Sequence, residues 1–245
     1  MPLHFLADEA SGAGAGDRLA LTGSEAHHAA TVRRVRPGEP VTVGDGRGAW
    51  LTATVVEASP REVVVEVASR EVVLPPSPRL VLAQALAKGD RDELAVQAAT
   101  ELGVDGIVPW QAARSVSRWA PARAERGRAR WATIVREAAK QAHRPWLPEV
   151  GPVATTAELA ATAAAARMLV LDPEASAPLS TTPLDAADAR DVVLVVGPEG
   201  GIAPEELEAL TAAGARRVRL GETVLRTSTA GPAALAVASV LLARW

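Results

Sequence analysis

Hydrophobic positions change their spacing near residue 74. Before it, apolar and polar residues alternate in short runs at 17–21, 40–43, 49–56 and 62–67, rich in Val, Thr and Leu and separated by Gly, Pro and Asp. Alternation with period two and β-branched enrichment predict strands, Asp45-Gly46 supplies a hairpin signal between two of them, and the set reads as a small β-barrel. After it, short apolar runs at 80–85, 106–109, 167–171, 192–196 and 216–220 alternate with helical spacing at 91–102, 122–143, 156–166, 204–213 and 230–243. Strand and helix in alternation predict a parallel α/β layer. Leu74-Pro75-Pro76-Ser77-Pro78 breaks any regular structure, which places a boundary there and gives domains 1–74 and 75–245.

Two of the helices carry further information. On 122–143, at about 100° per residue, Trp131, Ile134, Val135, Ala138, Ala139 and Ala142 gather on one side. Arg123, Arg126, Arg130, Arg136, Lys140 and Arg144 fall broadly opposite, so one face packs and the other is basic. The terminal helix has Thr227, Ser228 and Thr229 as candidate N-caps and Pro232 in its first turn, where a missing amide hydrogen costs little. Its apolar run 230–243 is shorter than the roughly 20 residues that cross a bilayer, so it reads as a buried helix and no membrane association is expected.

Charge is unevenly placed. The chain of 245 residues carries a net charge of −3, yet 112–145 holds eight arginines and one lysine against Glu125 and Glu137, a local balance of +7. Every other segment is acidic overall. Positive charge concentrated in this way is an electrostatic footprint for a polyanion, with a solvated helix face as the plainer alternative. A hydrophobic content of 48% is ample for a core. The absence of cysteine excludes disulfides, thiolate metal sites and a cysteine nucleophile, and four scattered histidines with only His27 and His28 adjacent form no zinc pattern, so no metal is expected. The start Met1-Pro2-Leu3-His4-Phe5 lacks the basic region and cleavage site of a signal peptide, which makes the cytoplasm the expected compartment.

Candidate chemistry lies late in the chain. Gly197-Pro198-Glu199-Gly200-Gly201 follows the apolar run 192–196, and Leu220-Gly221-Glu222-Thr223-Val224-Leu225-Arg226 repeats the plan of a buried strand breaking into a glycine turn. Glycines at strand ends let a ligand touch backbone amides. Gly44-Asp45-Gly46-Arg47-Gly48 is a poorer candidate: it lacks the third-glycine spacing of a dinucleotide loop and leads into a strand instead of a helix.

These motifs, in this order, resemble the RsmE-type small-subunit ribosomal RNA methyltransferases of the SPOUT (α/β-knot) superfamily, which methylate uracil N3. The resemblance spans nearly the whole chain. It runs through His28-Ala29-Ala30-Thr31-Val32-Arg33-Arg34 with Gly38, Lys88-Gly89-Asp90, and Gln97 to Val104 reading Gln-Ala-Ala-Thr-Glu-Leu-Gly-Val. It continues through Arg114-Ser115-Val116, Glu137-Ala138-Ala139-Lys140-Gln141 with Arg144 and Pro148, the glycine turn at 197–201, and Leu225-Arg226-Thr227 with Thr229-Ala230. Two positions depart from the family pattern. His4 stands before Phe5 where the family usually has Arg, and Ser228 stands where it usually has Glu.

The resemblance implies a PUA-like RNA-binding β-barrel followed by a SPOUT domain with a deep trefoil knot, a topology that general rules would not propose. Periodicity alone suggests a Rossmann-like sheet. It further implies S-adenosyl-L-methionine as cofactor, 16S rRNA in the small ribosomal subunit as partner, and a homodimer. The adenosyl group is placed among Leu171, Gly197, Gly200, Gly201, Leu220, Gly221, Val224 and Leu225. Uracil N3 is a poor nucleophile until its proton leaves, and a guanidinium stabilises the resulting anion, which makes Arg226 the first catalytic candidate. Glu199 is a candidate proton acceptor, with ordering of the glycine loop as its alternative and water or hydroxide as competing acceptors. Arg34, Arg114, Arg118, Arg126, Arg130, Arg136, Gln141 and Arg144 are the candidate RNA contacts, Arg144 equally well a structural ion pair. Competing readings are a SPOUT enzyme for a 2'-hydroxyl or another base, a non-catalytic RNA-binding assembly factor, and, least supported, a nicotinamide-dependent dehydrogenase.

Overall fold

Alternation drives the first part of the fold. In the computed structural model, which describes residues 1–245, strands β1 (Leu3–Leu6), β2 (Arg18–Thr22), β3 (Pro40–Gly44), β4 (Ala49–Ala58) and β5 (Glu62–Val72) form one sheet in the order β1-β3-β4-β5-β2. β1 runs parallel to β3 and the other pairs are antiparallel. Every second residue, such as Leu19 and Leu21, Val41 and Val43, or Val63, Val65 and Val67, enters a single core with Phe5. Register shifts in the β4–β5 pair bend the sheet, and β1 and β2 remain as its two edges, so the barrel is a half-barrel. β1 escapes the sequence reading because Phe5 and Leu6 follow a buried His4, which leaves no alternation to see. The short helix α1 (Gly23–His27) and the π-helical turn His28–Val32 were likewise not expected.

The chain divides into two compact units, Met1–Pro75 with Ala139–Leu147, and Pro76–Ala138 with Pro148–Trp245. The glycine loop at 44–48 shows how the later segment joins the first unit. Asp45 Oδ1 accepts hydrogen bonds from the amides of Arg47 and Ala49, which shapes the turn. Gly48 donates to the Pro145 carbonyl at 3.0 Å, Leu147 donates to the Gly46 carbonyl at 2.9 Å, and the Trp146 indole donates to the Val73 carbonyl at 2.9 Å. Gly48 has φ of +102°, and a Cβ there would stand 2.8 Å from the Trp146 ring. A side chain at 48 is therefore excluded twice, by backbone and by space. The same segment includes Lys140, whose ammonium is buried and lies 3.0 Å from the Glu25 carboxylate. The basic helix face drawn from the sequence is corrected here: Lys140 is in the core of the first unit, not on a solvated face.

The second unit is a wholly parallel six-stranded sheet, ordered β11-β9-β10-β6-β7-β8. Its strands are β6 (Leu80–Ala85), β7 (Gly106–Trp110), β8 (Glu149–Val150), β9 (Arg167–Leu171), β10 (Val192–Val196) and β11 (Arg216–Val218). The helices are α2 (Arg91–Glu101), α3 (Pro121–Gln141), α4 (Thr156–Thr162), α5 (Pro204–Ala212) and α6 (Thr227–Leu241). Continuous apolar runs suit strands covered on both faces. Leu80, Leu82, Leu169 and Leu194 join Trp131, Val135, Ala234 and Leu235 on one side; Val81, Ala83, Met168 and Val193 join Trp110, Leu159 and Leu210 on the other. α6 starts earlier than expected, with Arg226 as its N-cap, so Thr227, Ser228 and Thr229 are helical and Pro232 is the sixth helical residue. Thr227, the first helical residue, turns its side chain away from the helix end and is tied by it to β6 and to the turn after β10, so it does not serve as a cap. No helix is long and apolar enough to cross a membrane.

Candidate active site

In parallel α/β sheets, ligands bind where loops leave the carboxyl ends of the strands. Here the ends of β9 and β10 and the segment after β11 enclose a cavity of about 740 Å³. Leu171 and Asp172 border it from β9, Gly197, Glu199, Gly201 and Ile202 from the turn after β10, and Leu220, Gly221 and Thr223 to Arg226 from the loop leading into α6. Val196, Leu207 and Ala230 complete its apolar lining, and Arg91 and Arg114 reach its edge. The glycine turn is held in shape by its own backbone, with Gly201 donating to the Pro198 carbonyl at 2.9 Å and taking φ of +73°.

Of the residues singled out in the sequence, Leu171, Gly197, Gly201, Leu220, Gly221, Val224, Leu225, Glu199, Arg226 and Arg114 all line this one cavity. Gly200 does not line it; its carbonyl accepts from Arg114 Nη1 at 3.2 Å. Val224 is 78% exposed, so it stands over the mouth. Arg226 is exposed and makes no ion pair, while its carbonyl accepts from the amides of Thr229 and Ala230, both at 2.9 Å, at the start of α6. The positive end of that helix lies beside it.

Glu199 is tied down. Its Oε1 accepts from the Lys88 amide at 3.0 Å and from Arg91 Nη1 at 2.9 Å. Burial works to raise its pKa, but the hydrogen bonds from its own amide, from Lys88 and from Arg91 outweigh burial and hold the carboxyl below its usual value. At neutral pH it is a carboxylate with its donors in place. Asp172 is similarly committed: Oδ2 accepts from Arg217 Nε at 2.6 Å and Oδ1 from the Glu174 amide at 3.0 Å, fixing the loop that leaves β9.

The other basic candidates lie elsewhere. Arg118 donates to the Ala113 carbonyl at 3.1 Å, Arg126 is exposed with no ion pair, Arg136 is half-buried, and Arg130 grips the Glu93 carboxylate through two nitrogens. Arg34, Gln141 and Arg144 belong to the first unit, Arg34 with φ of +57° just beyond the π-helical turn. Sequence reasoning missed Arg91, Asp172, Glu174, Ile202 and Thr227 as cavity residues. Thr227 lies within a quoted motif and Arg91 adjoins one, so both were within reach; Asp172 and Glu174 follow the strand end at Leu171 and carried no glycine signal.

Both parts of this architecture, the half-barrel and the parallel sheet with its strand-end cavity, match families of RNA-modifying enzymes. Residues 75–239 match the family described as RNA methyltransferase domain, and residues 21–68 match the RNA methyltransferase PUA domain. The chain is 47% identical over 231 residues to ribosomal RNA small subunit methyltransferase E of Mycobacterium bovis, covering 92% of this chain and 87% of that protein. The corresponding protein of Bacillus subtilis is 31% identical, over 90% and 89% of the two chains. The crystal structure of ribosomal RNA small subunit methyltransferase E from Neisseria gonorrhoeae bound to S-adenosyl methionine superposes with a TM-score of 0.86 at 28% identity, covering 98% of each chain. The chain belongs to the ribosomal RNA small subunit methyltransferase E family, and its second unit has the SPOUT α/β-knot fold.

Proposed function

We propose that this protein methylates uracil N3 of 16S rRNA in the small ribosomal subunit, with S-adenosylmethionine as donor. The observation that carries the reading is the convergence of the ends of β9 and β10 and the loop after β11 on one cavity with Arg226 at its mouth. The cavity suits the donor. Its volume lies within the range of small-molecule sites. Leu171, Leu220, Leu225 and Ile202 offer apolar cover for an adenine, and Glu174 offers negative charge to a ligand bearing a sulfonium and an ammonium. When bound, S-adenosylmethionine supplies a methyl group already activated on sulfur.

The chain's own work is then to hold the acceptor and favour its anion. Arg226, exposed and without an ion pair, is free to donate to a carbonyl oxygen beside N3, onto which charge spreads once the N3 proton has left, so that the N3 lone pair stays open to the methyl. Glu199 serves the site by fixing the glycine turn through Lys88 and Arg91, and water at the open mouth takes the proton. Because N3 lies on the pairing edge, the uridine is met unpaired or drawn from its stack. Arg114, Arg118 and Arg126 of the second unit and Arg34, Gln141 and Arg144 of the first are the RNA contacts of this reading, orienting the backbone without reading sequence. The protein works in the cytoplasm as a homodimer, a state supported by the exposed apolar side chains Leu94 on α2 and Val240 on α6.

The test is labelled methyl transfer to purified 30S particles and to naked 16S rRNA, with digestion of the product to nucleosides. The label is expected in 3-methyluridine, and Arg226→Ala is expected to lower kcat by about 10² to 10³, the cost of one anion-stabilising donor. Label in a 2'-O-methyl nucleoside, or an Arg226→Ala enzyme as fast as wild type, would overturn it.

A further inference from the structure

A hydrogen-bonded chain that none of the roles above uses runs from the cavity wall at Gly197 and Thr227 back to Gln84 behind it. Gln84, at the end of β6, has no exposed surface, and its amide nitrogen donates to Thr227 Oγ1 at 2.9 Å. Thr227, itself buried, donates from the same hydroxyl to the Gly197 carbonyl at 2.9 Å. The direction is fixed by chemistry: a side-chain amide nitrogen only donates, so the threonine hydroxyl must accept from it and is left to donate onward. Gln84 Nε2 also donates to the Ala85 carbonyl at 3.1 Å, and its Oε1 has no partner. A buried acceptor left unsatisfied is costly, so an apolar residue of similar shape would be the cheaper occupant unless the donor is needed.

We propose that Gln84 and Thr227 are positioning residues of the methyl-transfer site. Their chain pins together three segments: the end of β6, the glycine turn that walls the donor cavity, and the first residue of α6, directly after Arg226. Buried in a low-dielectric interior, the two bonds polarise each other and hold a fixed length where a surface contact would drift. Gln84 acts only through Thr227. Thr227 acts in two directions, on the turn through Gly197 and on Arg226 through the backbone. This inference rests on the cavity binding S-adenosylmethionine, as proposed above.

The test uses the full-length protein as Thr227→Val, Thr227→Ser, Gln84→Leu and the double Gln84→Leu/Thr227→Val, with donor affinity by calorimetry and kcat at saturating donor on 30S particles. Thr227→Val keeps shape and removes the hydroxyl. Donor Kd is expected to rise about tenfold and kcat to fall further, as for a buried polar bond lost. Thr227→Ser is expected to restore both. Gln84→Leu should add nothing to Thr227→Val, since its only route to the site is gone. Unchanged donor affinity in Thr227→Val, or losses that multiply in the double variant, would overturn the proposal, whatever happens to melting temperature. Calorimetry reads the donor side without RNA, so a wild-type protein that binds donor and fails to methylate uracil would count against the proposed function and leave this inference to be judged on affinity.

Discussion

His4 holds a neutral imidazole in a place where a charge is not accommodated. It is 6% exposed and stacks on Trp50 with ring centroids 4.3 Å apart and planes 14° from parallel. The Thr42 hydroxyl donates to the Leu3 carbonyl at 3.4 Å, so it accepts from His4 Nδ1 at 2.9 Å, and Nε2 is left as a bare buried lone pair. Burial above all, then the nearness of His143 and Lys140, pushes its pKa from 6.5 down to about 3. The unfolded chain therefore takes this proton near pH 6.5, and the folded chain does not take it until pH reaches about 3. Across that window the unfolded state binds more protons, so stability falls as pH falls, by about 1.4 kcal/mol per pH unit from this one group. His4→Gln is expected to lose about 2 kcal/mol less than wild type between pH 7 and pH 5 in urea titrations. Equal losses in the two proteins would mean that the imidazole titrates freely. The residue was legible in the sequence only as a departure from a family pattern; its burial follows from β1, which no periodicity announced.

At the scale of elements, the glycine turn is held by partners far away in sequence. Glu199 joins it to the segment that opens α2, through Lys88 and Arg91, while Thr227 joins it to α6. The ion pair is partly open to solvent, so its strength is screened and its use lies in geometry more than in energy. Because the Glu199 pKa is lowered, the clamp is complete at neutral pH and is lost as pH falls through the folded value, below the usual carboxylate range. Glu199→Gln is expected to weaken donor binding about threefold to tenfold by calorimetry while kcat at saturating donor and its pH profile stay close to wild type. Loss of the pH profile with kcat falling by about 10² or more would instead make Glu199 the proton acceptor. Elements of this unit were legible because buried parallel strands read as continuous apolar runs, and 80–85, 167–171 and 192–196 are strands with those bounds. β11 ends early, at Val218, because the Arg219 amide turns away to the Ala177 carbonyl and frees Leu220 for the cavity. Such a partner is set by tertiary packing and leaves no local signal. The same holds for Ala139–Leu147, whose place in the first unit depends on a glycine loop some hundred residues earlier.

For the whole molecule, a net charge of −3 opposes RNA binding, so attraction must come from local positive charge, and of the +7 carried by residues 112–145 Lys140 is already paired with Glu25 inside the first unit. Within that stretch the structure separates arginines that the sequence could not tell apart. Arg130 is neutralised by Glu93, whereas Arg126 is exposed and carries no ion pair. A cation already paired has little counterion to release when phosphate arrives, so the two differ in salt dependence as well as in affinity. Arg126→Gln is expected to weaken binding to 16S rRNA and to lower the slope of log K against log salt by about 0.7 to 0.9 if it contacts one phosphate. Arg130→Gln is expected to change the slope by less than half as much. Glu93→Gln, which removes the internal partner, is expected to steepen it by releasing Arg130 to the RNA. Filter binding from low to moderate salt distinguishes these outcomes. Identical slopes in all three variants and wild type would assign the arginines of α3 to solvation and leave the attraction for RNA with Arg114, Arg118 and the first unit.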